Sequence, residues 1–142
     1  EEELDIMRKN LSGDILTQIT PVIHPEDILK ARKAVSKIYM DERIEKYILN
    51  LVFATRNPEL FKLKEIQLLI NYGASPRASI FLAQAAKANA FINHRGFVIP
   101  EDVTSIVKDI FRHRIGLSYE AEAENITQDQ IISTILSKVE VP

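Results

Sequence analysis

An all-α domain, bundle-like and built of about six or seven helices, is the fold this sequence predicts. Three observations carry that expectation. Apolar residues recur at i, i+3, i+4 and i+7 along nearly the whole chain. Strand-like alternation is weak, and four Gly with no Trp argue against a loop-rich or all-β design. Residues that start helices, Asp41, Ser75-Pro76, Pro100 and Thr127, stand where the periodic segments begin. A chain of 142 residues, 46% hydrophobic and 27% charged, has enough apolar material for one domain with a proper core. No internal repeat, low-complexity tract or composition shift divides it, so residues 1–142 are expected to form one domain.

The elements follow in order. Leu4, Met7 and Leu11 mark a first helix, with acidic residues at its start and Arg8 and Lys9 at its end, as the helix dipole favours. Ser12-Gly13 should end it, with a loop over residues 12–24. A second helix should start at Pro25, with Glu26 and Asp27 in its first turn and Ile28, Ala31, Val35 and Ile38 inside. Asp41 caps a third, whose stripe of Ile44, Tyr47, Ile48, Leu51, Val52 and Thr55 is the cleanest in the chain. Asn57-Pro58 ends it. In residues 59–72, Leu63, Ile66 and Ile70 could form a short helix closed by Asn71-Tyr72-Gly73. The next helix should run from Ser75 to about His94, burying Ala78, Phe81, Leu82, Ala85, Ala88 and Ile92, with Gly96 as its stop. Phe97-Val98-Ile99 should be extended before Pro100. Pro100-Glu101-Asp102 then opens a helix with Val103, Ile106, Val107, Ile110 and Phe111 inside. Thr127 and Gln130 form a capping box ahead of Ile131, Ile132, Ile135, Leu136 and Val139.

Much chemistry is excluded. There is no Cys, so neither disulfides nor thiolate metal sites are possible. The net charge of -2 lacks the basic excess of a dedicated nucleic-acid binder. No apolar run can span a bilayer and no signal-peptide pattern is present, so a cytoplasmic location is expected and no membrane insertion. The chain opens with Glu1-Glu2-Glu3 rather than Met, as a piece of something longer would. No phosphate-binding G-x-x-x-x-G-K-[ST] loop, G-x-S-x-G or H-E-x-x-H occurs. His24, His94 and His113 lack zinc-ligand spacing, and no metal site is expected. Arg112-His113-Arg114 reads as a cationic helix end more readily than as a binding cluster. Glu120, Glu122 and Glu124 alternate and, if extended, would face one way. A solvated acidic edge is the commoner use of such a pattern.

The most informative stretch is Gly73-Ala74-Ser75-Pro76-Arg77-Ala78-Ser79. Gly73 lets the chain turn freely. Ser75 is a good N-cap, and Pro76 fits the first helical position, where its missing N–H costs nothing. Arg77 stands in the first turn, the unfavourable end for a cation. An anion arriving there would explain it, and phosphate binds both helix N-termini and arginine. On these residues alone, an ordinary surface turn with a solvated Arg is the commoner reading.

At this stretch the sequence resembles the C-terminal lid domain of the MoxR family of AAA+ ATPases. The likeness continues through Phe81-Leu82-Ala83-Gln84-Ala85-Ala86-Lys87-Ala88, Val98-Ile99-Pro100-Glu101-Asp102-Val103, Arg112-His113-Arg114-Ile115 and Leu117-Ser118-Tyr119-Glu120-Ala121-Glu122-Ala123-Glu124. Upstream it includes Leu11-Ser12-Gly13-Asp14 and Thr55-Arg56. It covers almost the whole chain in the right order, residues 58–72 excepted. The resemblance implies a lid that closes over ATP held by a separate αβα core, which also binds Mg2+ and carries the catalytic carboxylate. It places Arg77 at the sensor-2 position, whose arginine reaches the γ-phosphate, with Gly73, Ser75 and Pro76 as supports. It thereby favours the phosphate reading of Arg77. It further implies a ring of subunits, a chaperone-like action on other proteins, and partners with von Willebrand A domains. The parent would be an ATP hydrolase; residues 1–142 alone would not be catalytic. The competing reading is a self-contained helical interaction module, such as a nucleic-acid binder of helix-turn-helix type, with Arg77, Lys87 and Arg95 as phosphate contacts.

Overall fold

The computed structural model describes residues 2–11 and 20–142. The chain divides into two compact units, Glu1–Arg32 and Lys33–Pro142. In the first, α1 (Glu2–Leu11) carries Glu2, Glu3 and Asp5 in its first turn. The expected stop at Ser12-Gly13, and most of the expected loop, lie outside the described residues. The second helix, α2 (Pro25–Ser36), starts where Pro25 predicts. The Asp27 carboxylate accepts from the His24 amide at 3.2 Å and so caps it. Its expected inner face is not one: Ile28 is exposed, and Ala31 and Val35 are only half-buried. Ile38 is buried but lies beyond the helix end.

The core belongs to the second unit. Its long helices are α3 (Glu42–Arg56), α5 (Pro76–Ile92), α6 (Pro100–Phe111) and α8 (Gln128–Lys138). Between them stand a 3₁₀ turn (Pro58–Phe61), α4 (Lys64–Gln67), β1 (Ile70–Tyr72), β2 (Gly116–Leu117) and α7 (Tyr119–Ala123). The all-α expectation holds, with six helices of ten residues or more among the described residues. The Asp41 carboxylate caps α3 through the Arg43 amide at 2.9 Å. Each residue of its predicted stripe is buried. α5 packs against α3 and α6, and α8 against α6 and α3.

Three expectations change here. Ile70 does not extend a helix: it pairs with Leu117, and Tyr72 with Gly116, in a two-stranded antiparallel ribbon. On α5 the buried row is Ala78, Leu82, Ala86 and Ala90, a strict i, i+4 series, all fully buried. Phe81 and Ile92, expected inside, are exposed. Small residues on that row let α3 and α6 approach closely, so the larger side chains turn outward. The left-handed residue that ends α5 is His94 (φ 56°), earlier than the expected Gly96. Beyond it, Tyr39 and Phe97 form a short parallel bridge, so the stretch before Pro100 is extended as predicted.

Candidate functional site at the start of α5

The site begins at the end of α3. Thr55 is fully buried. Its hydroxyl donates to the Val52 carbonyl at 2.7 Å and accepts from the Ala74 amide at 2.9 Å. The second bond joins segments 19 residues apart. Gly73 lies flat against the same turn. A Cβ there would meet the Thr55 carbonyl group, with its carbon at 2.6 Å, and Arg56 Cγ at 2.7 Å. Glycine is therefore required for close approach rather than for freedom to turn. Ala74, fully buried, follows.

Ser75 is extended (φ −72°, ψ 165°) and occupies the N-cap position, with Pro76 next. Its side chain makes no capping bond, contrary to expectation. The Ala78 amide, a donor such a hydroxyl ordinarily accepts, is already bonded to the Ser75 carbonyl at 2.8 Å. The Ser79 hydroxyl donates to the Pro76 carbonyl at 2.7 Å and tightens the same turn. Arg77 stands in this first turn, exposed, with no ion pair or side-chain hydrogen bond among the described residues. A cation beside the positive end of a long helix, with no internal anion, is suited to an anion from outside.

Other basic residues are used differently. Arg95 forms a double bond pattern to Asp102, Nη1 to Oδ2 at 2.6 Å and Nη2 to Oδ1 at 2.5 Å. Asp102, fully buried, also accepts from the Ile99 amide and the Asn89 amide group, each at 2.9 Å. Burial pushes its pKa up, but the Arg95 and Ile99 hydrogen bonds, the Arg95 charge and the Asn89 bond outweigh that and hold it below the usual carboxylate range. Arg112 pairs with Asp129 at 2.9 Å and Asp109 at 3.2 Å. Arg114 donates to the Ile110 carbonyl at 2.8 Å and lies over the Phe81 ring at 5.0 Å. The cationic cluster at 112–114 thus secures the end of α6. Arg56 lies over Phe53 at 4.8 Å.

The acidic trio is solvent-exposed but not extended. Glu120 and Glu122 lie in the single-turn helix α7 and Glu124 caps its end. Their alternation does not put them on one face there. Among the described residues no group of three His, Cys, Asp or Glu could hold a metal ion. No described helix is long and apolar enough to cross a membrane.

Two hollows flank α5 and its approach. One, about 530 Å³, is mainly apolar and is lined by Met40, Ile48, Leu49, Ile80, Ala83 and Lys87 among others. The other, about 300 Å³, is polar and borders Thr55, Arg56, Glu59, Gln67, Tyr72 and Gly73. Sequence reasoning missed Thr55 as a polar anchor and Asp102 as a buried charge. Thr55 stands at a stripe position of α3, where periodicity alone reads it as packing. Asp102 could have been found as an acid three residues after the extended Ile99, in the first turn of a proline-started helix.

Comparison with known proteins agrees with this architecture. The AAA lid domain family model matches residues 63–135, just over half the chain. The chain belongs to the AAA lid domain family. It is 32% identical over its full length to the MoxR1 chaperone of Mycobacterium tuberculosis, of which it covers 37%. It is 30% identical over 111 residues to the MoxR protein of Methylorubrum extorquens, a match covering 74% of this chain and 32% of that protein. A crystal structure from Cytophaga hutchinsonii, of a protein assigned as an ATPase, superposes with a TM-score of 0.89 at 45% identity, over 99% of this chain and 42% of that one. The chain therefore spans about a third to two fifths of the length of these longer relatives, and the matched segments are their C-terminal parts.

Proposed function

We propose that residues 1–142 form the lid of a longer MoxR-type AAA+ ATPase and that Arg77 is its contact with the γ-phosphate of ATP. One observation carries this reading. Arg77 is exposed at the start of a 17-residue helix, with no internal partner among the described residues, on a turn anchored by Thr55, Gly73 and Ala74. The family supplies nucleotide and Mg2+ in the parent. The guanidinium and the helix N-terminus fit a phosphate. The phosphate loop, the Mg2+ ligands and the catalytic carboxylate belong to the αβα core.

Phosphoryl transfer needs positioning and neutralisation of charge on the transferred group more than covalent assistance. A guanidinium on a movable lid provides charge where it develops and gains nothing from a nucleotide that lacks the γ-phosphate. The lid then rests differently in the ATP and ADP states. In a ring of subunits that difference alters the next interface and drives chaperone-like remodelling of a client. This reading extends to a cytoplasmic ring and to von Willebrand A domain proteins as partners. It is preferred over phosphate contacts to nucleic acid because Arg95 is neutralised by Asp102 and Lys87 is half-buried beside an apolar hollow.

Steady-state ATPase assays on the full-length parent test it. Arg77→Ala should fold normally and lose about 10- to 1000-fold in rate, the scale for one preorganised donor. Arg77→Lys should recover part of that, because a point charge lacks the planar fork. Wild-type hydrolysis by Arg77→Ala, with ATP and ADP still distinguished, would show Arg77 to be an ordinary surface residue.

A further inference from the structure

We infer that Thr55 is a positioning residue for Arg77: its hydroxyl fixes the turn from which the guanidinium is presented. The inference rests on the proposed reading of Arg77 and adds a residue from a different helix to it.

The geometry leaves little slack between the two side chains. Thr55 Oγ1 accepts the Ala74 N–H at 2.9 Å in a fully buried position. Its own proton goes to the Val52 carbonyl at 2.7 Å, so the lone pairs are directed at Ala74. Gly73 is pressed against the Thr55 carbonyl and the Arg56 side chain, which blocks movement toward α3. From Ala74 only two residues lead to Arg77. Ser75 is held extended, and Pro76 has its φ fixed by its ring. The Ala78 amide to Ser75 carbonyl bond at 2.8 Å then locks the first turn of α5. A shift of Ala74 is therefore passed to Arg77 almost undiminished.

A valine of the same shape would fill the space of Thr55 equally well. It would leave the Ala74 N–H buried without an acceptor, and the chain at 73–75 would move to find one. A merely space-filling role for Thr55 predicts no loss of chemistry on that change. The positioning role predicts a loss that depends on Arg77.

The test is a double-mutant cycle on the full-length ATPase, read as kcat and KM for ATP. Thr55→Val should lower kcat by about 10- to 100-fold, the scale for displacing a positioned group by about 1 Å. The KM for ATP should stay within about threefold, because the loss falls on the transition state. Thr55→Ser keeps both hydrogen bonds and should restore the rate to within about threefold. Adding Thr55→Val to Arg77→Ala should cost less than about threefold beyond Arg77→Ala alone. Thr55→Val at the wild-type rate, or losses that multiply in the double variant, would overturn the inference while leaving Arg77 in its role. No effect of Arg77→Ala would instead remove the reading on which the inference rests. If Thr55→Val gives no folded protein, Thr55→Ser decides: a folded Ser variant as slow as Arg77→Ala contradicts the positioning role, and one near the wild-type rate supports it.

Discussion

Replacing Asp102 by alanine should cost this domain a large part of its stability. The carboxylate is 1% exposed and the Arg95 side chain 25% exposed. Four groups donate to it: Arg95 Nη1 and Nη2, the Ile99 amide and the Asn89 side chain. Alanine leaves a mostly buried guanidinium without its anion and the first turn of α6 without its cap. Breaking a buried pair by removing one partner costs about 3–5 kcal/mol. Loss of a helix cap, typically about 1 kcal/mol, is contained within that range. For a domain near this size each kcal/mol shifts Tm by about 2–4 °C, so a fall of roughly 6–20 °C is expected. Thermal unfolding of residues 1–142 followed by circular dichroism measures it. Linkage gives a second arm. The folded pKa of Asp102 is lowered, so its contribution is complete above the ordinary carboxylate range and is lost as pH falls through the folded value. The gap between wild type and Asp102→Ala should therefore be constant near neutrality and shrink below about pH 4. A Tm within about 2 °C of wild type at pH 7, or a gap that persists unchanged into strong acid, would refute the reasoning.

Three further outcomes are expected. Ile48→Asp puts a charge among the side chains of α3, where Ile48 is 2% exposed, and should abolish cooperative unfolding; a wild-type melt would show that the stripe is not core. Residues 1–142 alone should not hydrolyse ATP and should bind short duplex DNA weakly at moderate salt. Sub-micromolar DNA binding that falls steeply with salt would favour the nucleic-acid alternative.

The helices were legible where periodicity and punctuation coincided. α3 shows both, with Asp41 at its cap and Asn57-Pro58 at its end, and every residue of its stripe is buried, with Ala54 added to them. α8 shows the capping box, with Thr127 N–H to Gln130 Oε1 at 2.7 Å. α5 was placed well but turned about its axis. An alanine-rich helix has several faces of similar hydropathy, and only packing against α3 and α6 selects the Ala78, Leu82, Ala86 and Ala90 row. β1 and β2 are three and two residues long, too short for alternation to register, and they pair across more than forty positions of sequence. At the candidate site, Pro76 and Arg77 were visible as a helix start with a misplaced cation. The roles of Gly73, Ser75 and Thr55 were not, because they depend on the approach of α3 to that turn.

The central claim is that Arg77 makes the lid respond to the γ-phosphate. The direct measurement is the distance between lid and core in the full-length protein, read by energy transfer between dyes on the two domains with ATP bound under non-hydrolysing conditions and with ADP bound. Wild type should show two distinct distances, and Arg77→Ala should show the ADP distance with either nucleotide. An Arg77→Ala protein that still moves between the two positions as wild type does would contradict the account.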